Sequence, residues 1–381
     1  MVKILHTGDL HLGSPFSGLP YRESERCRER QAEAFSKMIE YARREGISLF
    51  LIAGDLFDSD TVSASALDET FDALASLPCP VVIAPGNHDP YRSGSPYASR
   101  ALPENLFVFD TEALSRFSFP EIGGGVDVFG YAFTGASLAA SPLAILPDNS
   151  CLGEGLSILL CHGDLDTPLS RYAPIRSQDL ARCGADYVAL GHVHNTEDEI
   201  LTVGSTAYAY CGFPEGRSFD ECGFGSFRII TLSENADTPV AHAERIRCAL
   251  HRYEILSCDV TGSASDEETA ARVRTALSEK GFGRETSLRL YLCGEVSPRY
   301  TPSGDRILAL LEGGEIPAPL YFFDRTLPVF DSDYLESDLS LRGELYRILK
   351  PQMLSGSERE RADAALALRL GLAALDERPI L

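Results

Sequence analysis

Five short groups of Asp, Asn and His recur along the first half of the chain, and each follows an apolar run. The groups are Asp9-x-His11, Gly54-Asp55-Leu56-Phe57-Asp58, Gly86-Asn87-His88-Asp89, Cys161-His162-Gly163-Asp164 and Gly191-His192-Val193-His194. Carboxylate, amide and imidazole ligands without thiolate suit Mn, Fe or Zn better than Ca or a structural cysteine–zinc site. Two such ions about 3.5–4 Å apart, bridged by one Asp, can activate a water molecule and bind a phosphate. The groups therefore predict a two-metal site for phosphoryl chemistry.

The elements that would position these groups alternate between apolar runs and amphipathic stretches. The apolar runs that predict strands here are 2–7, 47–53 and 81–84, and the helical stretches are 26–44 and 64–77. This βαβαβ beginning predicts an α/β layered domain. Further strands are predicted at 126–133, 158–161, 187–190, 200–203 and 224–231. Few helices separate them, so we expect a two-sheet sandwich flanked by helices, with the five groups converging at one edge of the strands.

The last third of the chain has a different pattern. Strands are predicted at 253–260, 287–292 and 320–324, with helices at 266–280 and 305–311. Ser265 is expected to cap the first of these helices and Gly281 to end it. Two more helices, 341–349 and 358–375, are expected to be separated by a break at Pro351 and Ser355-Gly356. We therefore predict three domains: a catalytic domain at 1–248, a small α+β cap domain at 249–338 and C-terminal helices at 339–381.

The charge of the chain limits the classes of partner. Its 381 residues contain 56 Asp and Glu against 34 Lys and Arg, a formal net charge of −22. A broad basic surface that coats DNA is therefore not expected, whereas a bound cation cluster is compatible with this composition. We expect no secretory signal, because no basic segment followed by an apolar run opens the sequence, and no membrane span, because no apolar run approaches the ~18 residues required. The ten cysteines form no C-x-x-C pair, which favours reduced thiols in a cytosolic, cytoplasmic protein.

In their order and spacing, the five groups resemble the calcineurin-like metallophosphoesterase superfamily, whose signature is D-x-H…G-D…G-N-H-[DE]…H…G-H-x-H. The resemblance implies one metal held by Asp9, His11, Asp55 and His194. It implies a second metal held by Asp55, Asn87, His162 and His192, with Asp55 as the bridge. The metals would be Mn²⁺, with Fe or Zn as alternatives.

The same resemblance assigns catalytic roles beside the metals. His88 would face the substrate phosphate, where it would stabilise transition-state charge or protonate the leaving oxygen. Asp89 would hydrogen-bond His88 and set its tautomer. Some members of the nuclease group have His at the position of Asp58, which is expected here to orient a ligand or a water molecule.

Within the superfamily, the chain resembles DNA repair exonucleases of the SbcD/YhaO type. The strings that carry this likeness are the opening His6 to Gly13, the Gly54 to Asp58 run, Gly212-Phe213-Pro214-Glu215-Gly216-Arg217 and Ser340-Leu341-Arg342-Gly343-Glu344. The resemblance implies a nuclease, exonuclease or endonuclease, that attacks the DNA phosphodiester with a metal-bridged hydroxide. It also implies that the C-terminal helices could bind an SbcC-like ATPase. Whether the chain forms a homodimer is left open.

Several polar residues outside the groups allow two interpretations each. Tyr91, Arg92 and Arg217 are candidate substrate contacts, since they lie in loops that follow the predicted ligand groups. Packing in turns would explain Arg92 and Arg217 equally well, and it is favoured for Tyr91. For the Arg-rich segment 21–30, a helix start with local ion pairs is favoured over contact with DNA. His6 is expected to be structural.

Two other functions stay open beside the nuclease. The net charge of −22 favours a metallophosphoesterase that acts on a small nucleotide or phosphomonoester. The additional ninety-residue domain argues against this, because such an enzyme does not need it. The third alternative is a metal-bearing scaffold for an ATPase. Against it, every expected ligand residue and His88 are present in the sequence, so loss of catalytic function is not indicated.

Overall fold

The computed structural model describes residues 1–59, 62–195, 199–233, 240–297, 300–312, 314, 316–329 and 331–375. The chain divides into two compact units, Met1–Arg252 and Tyr253–Leu381. The division into three domains, with boundaries after residues 248 and 338, stays a prediction. Among the residues described, no helix is both long and apolar enough to cross a membrane.

The first unit is built from two sheets. Its elements are β1 (Val2–Thr7), α1 (Tyr21–Arg44), β2 (Leu49–Ile52), α2 (Ala64–Ala75), β3 (Val81–Ile83), β4 (Leu106–Val108), β5 (Ser115–Phe119), β6 (Val126–Gly130), β7 (Leu156–His162), α3 (Ser177–Cys183), β8 (Tyr187–Gly191), β9 (Leu201–Val203), β10 (Thr206–Tyr210), β11 (Gly223–Leu232) and the start of β12 (Val240–Asp259). The strand order is β12-β11-β1-β2-β3-β4 in one sheet and β5-β6-β7-β8-β10-β9 in the other. Strands β1 to β4 are mutually parallel, as are β6, β7, β8 and β10.

Apolar side chains fill the space between the two sheets and also their outer faces. Ile4 and Leu51 of the first sheet share a buried cluster with Ile158 of the second. On the outer face of the first sheet, Phe50 packs in a cluster with residues of α1 and α2. The residues of β2 are therefore buried on both faces, which explains the continuous apolar run LFLI. The predicted β-sandwich flanked by helices is confirmed.

The second unit is a smaller α+β assembly with a helical C-terminal tail. Its elements are the end of β12, then α4 (Asp266–Lys280), β13 (Thr286–Cys293), β14 (Glu295–Val296), α5 (Gly304–Leu311), β15 (Leu320–Asp324), β16 (Leu327–Pro328), α6 (Ser332–Ser337), α7 (Leu341–Ser355) and α8 (Glu358–Leu375). Strands β12, β13 and β15 lie side by side. Both predicted caps of α4 are confirmed. The Ser265 hydroxyl accepts a hydrogen bond from the Glu268 N–H at 3.3 Å, and Gly281 is left-handed with φ 62°.

Two helix boundaries differ from the sequence-based expectation. Helix α1 begins at Tyr21, five residues earlier than predicted, so the Arg-rich segment is helical as the favoured interpretation held. The predicted break is wrong at Pro351, because α7 continues through it to Ser355, but it is confirmed at Ser355-Gly356, since Gly356 caps α7 and α8 begins at Glu358. A proline inside a helix removes one backbone hydrogen bond. Apolar packing offsets that loss, since Tyr346 of α7 shares a cluster with Leu368 of α8.

Candidate metal centre

The five polar groups all lie at the C-terminal ends of strands in the first unit. They follow β1, β2 and β3 of one sheet, and β7 and β8 of the other. Because these strands are parallel neighbours within each sheet and the sheets face each other, their ends bring the groups to one place. The side chains that meet there are those of Asp9, His11, Asp55, Asn87, His88, His162, His192 and His194.

At this edge the backbone has positive φ angles, which residues other than glycine rarely adopt. Asp9, His11, Asp55 and His192 have φ values of 49°, 48°, 51° and 104°. They make up four of the eight non-glycine residues with positive φ in the part of the chain that the structure describes. Each such residue costs on the order of 1–3 kcal/mol, and such strain tends to cluster at functional sites. Backbone hydrogen bonds between the turns after β1 and β2 stabilise these strained conformations, for example from Asp9 N–H to Gly54 O at 3.0 Å.

One set of donor atoms gathers around Asp9. Nε2 of His194 lies 3.5 Å from Oδ1 of Asp9, and Nε2 of His11 lies 3.7 Å from Oδ2 of Asp55. Donor atoms of Asp9, His11 and His194 all lie within 4.8 Å of one another. The structure thus brings together the residues expected to hold one metal.

A second set gathers around His162. Its Nε2 lies 3.5 Å from Oδ2 of Asp55 and 3.0 Å from Oδ1 of Asn87. Nδ1 of His192 lies 3.2 Å from the same nitrogen. Oδ2 of Asp55 therefore faces one imidazole of each set, while its Oδ1 accepts a hydrogen bond from the His88 N–H at 2.9 Å. This is the position expected of a bridging carboxylate.

The donor set fits divalent cations. Both ring nitrogens of His11 are buried; Nδ1 has an ionic contact with Oδ1 of Asp58 at 3.3 Å, and among the residues described Nε2 has no hydrogen-bond partner. A buried polar atom without a partner is costly, and a metal ion would satisfy Nε2. Carboxylate oxygen, amide oxygen and imidazole nitrogen are the donors that Mn, Fe and Zn accept.

The electrostatics of the cluster also favour a cation. Burial acts to raise the pKa of Asp9, but the hydrogen bond and charge of His194 outweigh it, so the pKa falls well below its usual range. Burial acts to lower the pKa of His194, but hydrogen bonds to Asp9 and Glu221 raise it to about 10. The carboxylates thus draw positive charge onto the imidazole, and a metal ion would compete with that proton.

His88 lies beside the cluster and is more exposed. Its side chain is 43% exposed, and its ring packs edge-on against the ring of His11 with centroids 4.7 Å apart. Nδ1 of His88 lies 3.0 Å from the carbonyl oxygen of Asp58. Since a carbonyl only accepts, this contact places a proton on Nδ1 and leaves Nε2 as the nitrogen free for exchange.

The expectation that Asp89 hydrogen-bonds His88 is wrong. Asp89 is fully buried, and its carboxylate accepts hydrogen bonds from the backbone N–H groups of Asp55, Phe57 and Gly86 and from the Tyr97 hydroxyl. It joins the turns after β2 and β3 instead of reaching toward the ring of His88. The sequence neighbours His88 and Asp89 point to different partners because one faces the open edge and the other the core.

Asp58 and Arg217 belong to an ionic network with Glu221, which sequence reasoning missed. Oδ1 of Asp58 lies 3.3 Å from Nδ1 of His11 and 3.2 Å from Nη1 of Arg217. Oε1 of Glu221 lies 2.8 Å from Nη2 of Arg217 and 2.8 Å from Nδ1 of His194. No strand-end pattern marks Glu221 in the sequence. Asp164 follows a ligand motif, and its carboxylate lies 3.6 Å from Nε2 of His192.

The other candidates are placed differently. Tyr91 is half-buried and packs against both apolar clusters of the first sheet, which fits a packing role. Arg92 is exposed. His6 is buried between the Tyr187 hydroxyl and the Leu190 carbonyl, at 2.9 and 3.2 Å, and burial and then the charge of Arg228 lower its pKa to about 3. A structural role for His6 agrees with the expectation.

Comparison with known proteins bears on this cluster directly. A family model described as calcineurin-like phosphoesterase matches residues 2–196, a range that includes every expected metal ligand. The chain is 29% identical over 238 residues to the uncharacterized metallophosphoesterase YhaO of Bacillus subtilis. The aligned region covers 60% of this chain and 57% of that protein. It is 28% identical over 245 residues to the DNA double-strand break repair protein Mre11 of Saccharolobus solfataricus, covering 60% of each.

A third relative is the SbcD component of the nuclease SbcCD of Staphylococcus epidermidis. It is 26% identical over 266 residues, which cover 61% of this chain and 67% of that protein. The aligned regions thus span about 60% of the length of the first two relatives.

Proposed function

Because this chain belongs to the calcineurin-like phosphoesterase family, we propose that it is a hydrolase that cleaves phosphodiester bonds of DNA with two divalent metal ions. The observation that carries the proposal is the position of Asp55. Its Oδ2 lies 3.7 Å from Nε2 of His11 and 3.5 Å from Nε2 of His162, so one carboxylate oxygen is shared by two sets of metal-binding donors.

Each metal would have its own set of ligands around the shared carboxylate. One ion would be held by Asp9, His11, Asp55 and His194, and the other by Asp55, Asn87, His162 and His192. We propose Mn²⁺ for both, with Fe or Zn as alternatives that the same donors accept. When bound, the ions would supply Lewis acidity, which lowers the pKa of water and offsets charge on the phosphate.

The chain's own residues would orient the substrate and move protons. With Nδ1–H held by the Asp58 carbonyl, Nε2 of His88 is the ring nitrogen that accepts a proton in the neutral ring and donates it, as imidazolium, to a phosphate or leaving oxygen. The buried carboxylate of Asp89 would keep the turns that carry Asp55 and His88 in register. Asp58 would orient His11 and would not itself exchange protons with the substrate.

DNA as the substrate is supported by the names of two relatives, a DNA double-strand break repair protein and a component of a nuclease. The net charge of −22 supports the alternative, a small nucleotide or phosphomonoester, because long DNA must approach an acidic body.

End-labelled linear double-stranded DNA, incubated with the purified protein and Mn²⁺ and resolved to single nucleotides, tests the proposal. We expect a ladder of products from the ends, which is absent for His88→Ala. A chromogenic phosphodiester is assayed in parallel. Hydrolysis of that compound with intact DNA would exclude unaided DNA cleavage and favour a small substrate or a required ATPase partner. Full retention of both activities, DNA cleavage and hydrolysis of the chromogenic compound, in His88→Ala would contradict the mechanism.

Salt dependence separates the two substrate classes. DNA binding through several phosphates weakens steeply as salt rises, because each contact releases a counterion. We expect DNA cleavage to fall between about 50 and 200 mM salt, while hydrolysis of the chromogenic phosphodiester stays nearly constant. Equal salt dependence of both would favour the small-substrate alternative.

An SbcC-like ATPase is the proposed partner. Helices α7 and α8 expose Leu341, Ile348, Leu354 and Leu366, which a protein partner could cover. Support comes from the relative that is one component of the SbcCD nuclease. Co-elution of the full chain with a purified SbcC-type ATPase, lost in Leu354→Asp, would test this. Location in the cytoplasm stays a prediction.

A further inference from the structure

We propose that Arg217 is a positioning residue that sets the affinity of one of the two metal positions. It would do so by holding two carboxylates, each of which contacts Nδ1 of one ligand imidazole. Asp58 contacts His11, and Glu221 contacts His194. The inference rests on the proposed two-metal centre, and it differs from the expectation that Arg217 contacts the substrate.

The side of the network toward His194 is the more tightly built. Oε1 of Glu221 lies 2.8 Å from Nδ1 of His194, which leaves Nε2 of that ring on the side of Asp9, 3.5 Å from Oδ1. Glu221 is itself fixed by Arg217, whose Nε, Nη2 and backbone N–H donate to its two oxygens at 3.1, 2.8 and 2.7 Å. A carboxylate on Nδ1–H fixes the tautomer that presents Nε2 to a metal.

Nη1 of the guanidinium is linked to the imidazole of His11 through Asp58. Nη1 of Arg217 donates to Oδ1 of Asp58 at 3.2 Å, and the same oxygen lies 3.3 Å from Nδ1 of His11. Nε2 of His11 then faces Asp55. The chain His11–Asp58–Arg217–Glu221–His194 therefore runs around one side of the cluster. It joins two ligands of the same proposed metal.

The imidazoles of the other proposed metal are oriented independently. Nδ1 of His162 lies 2.8 Å from the carbonyl oxygen of Ala53, and Nε2 of His192 lies 3.6 Å from Asp164. Neither of these partners is a member of the Arg217 network. Removal of the guanidinium should therefore weaken one metal position and leave the other unchanged.

The geometry explains why the residue is arginine. A planar guanidinium can donate to two carboxylates on different edges at once, whereas a lysine ammonium acts as a point charge on a flexible chain. The Arg217 side chain is 22% exposed, and its partners Asp58 and Glu221 are 17% and 5% exposed. Without Arg217, two carboxylates of this small, mostly buried cluster would lose their common counter-ion.

Titration of the metal-free protein with Mn²⁺, followed by electron paramagnetic resonance, tests the inference without any assay of activity. We expect wild type to bind two ions that give an exchange-coupled signal. For Arg217→Gln we expect affinity at one position to fall about 10–100-fold, as is typical when a residue that orients a metal ligand is lost. At limiting Mn²⁺ the spectrum should then be that of an isolated ion. Arg217→Lys should restore only part of the affinity.

Three further variants make the assignment specific. Arg171→Gln, which removes another arginine from a loop after a ligand strand, should leave both affinities unchanged. Asp164→Asn should weaken the other position instead. In a His194→Ala background, Arg217→Gln should lower metal affinity less than it does alone, because the more tightly held of the two ligands that it positions is already lost.

Two results would overturn the inference. One is unchanged affinity at both positions in Arg217→Gln with only KM raised, which is the signature of a substrate contact. The other is an equal loss at both positions accompanied by a lower unfolding temperature of the metal-free protein, which would indicate a general structural role. Wild-type protein that binds fewer than two ions would contradict the proposed function itself, a result that is visible before any variant is examined.

Discussion

The hydroxyl of Tyr97 donates a 2.5 Å hydrogen bond to Oδ2 of Asp89 beneath the candidate metal centre. Both residues are buried, and Asp89 also accepts three backbone N–H bonds from the turns after β2 and β3. The carboxylate thus fixes the positions of two segments that carry the expected metal-binding side chains.

Tyr97→Phe tests the stabilising role of this pair. It removes one hydrogen bond from a buried carboxylate, so we expect the free energy of unfolding to fall by about 1–3 kcal/mol. Urea unfolding of the metal-free protein, followed by circular dichroism, measures the change. Tyr334→Phe, an exposed tyrosine of the second unit, should change stability by less than about 0.5 kcal/mol. Equal effects of the two variants would contradict a special role for the Tyr97 hydroxyl.

Asp55→Asn and His88→Ala separate metal binding from turnover. Asn offers one neutral oxygen where two metals require a shared carboxylate, so we expect Asp55→Asn to lose both bound ions and all turnover. His88→Ala should keep both ions and lose about 10²–10⁴-fold in kcat, the usual contribution of a general acid. Metal content and hydrolysis of a chromogenic phosphodiester are the measurements. Retained activity in both variants would exclude the proposed mechanism.

Gly86→Ala tests how closely the backbone approaches the bridging carboxylate. A Cβ at this position would collide with Oδ1 and the backbone N of Asp55. Because these atoms belong to strained backbone and a ligand, they cannot move away cheaply, and we expect metal binding and turnover to be lost together. Gly135→Ala is the matched control, since a Cβ there has no heavy atom within 4 Å among the residues described. Full metal content in Gly86→Ala would show that the turn can yield.

Glu215 should make stability depend on pH. It is buried, and one oxygen accepts the Leu250 N–H at 2.8 Å, while the other lies 3.9 Å from Nε of Arg30. Burial raises the pKa of Glu215 from 4.5 to about 7, despite the opposing effects of Leu250 and Arg30. Between these pH values the folded chain keeps a proton that the unfolded chain releases. Stability from this group therefore falls as pH rises through the window and stays level above it.

Glu215→Gln removes this dependence and keeps an oxygen for the Leu250 N–H. At pH 4.5 the variant and wild type should be nearly equally stable. By pH 8 the variant should be more stable by up to about 3 kcal/mol, from about 1.4 kcal/mol for each pKa unit. Urea unfolding at several pH values measures the difference, with Glu121→Gln at an exposed site as control. A constant difference between variant and wild type across this range would contradict the raised pKa.

Much of the fold could be predicted from the sequence because strands that are buried on both faces consist of consecutive apolar residues. Strand β2 is a continuous apolar run, β7 contains the run ILLC, and α4 has both its cap residues in place. The first part of β12, which lies before the predicted strand at 253–260, was missed because it has no continuous apolar run, although its charged and apolar residues partly alternate as in a half-buried strand. Strand β10, with the sequence TAYAY, was also missed. Pro351 misled because tertiary packing between α7 and α8 outweighs a local helix breaker.

The sequence by itself determined which side chains stand at the ends of strands, and hence the types of donor available to a metal. Only the tertiary structure decided which partner each donor faces. Arg217 and Asp58 are 159 residues apart along the chain, yet their charged atoms are 3.2 Å apart. His88 and Asp89 are neighbours in the chain, yet they face the open edge and the core respectively. Strand-end motifs are local and leave a pattern in sequence, whereas such contacts depend on how distant turns pack together.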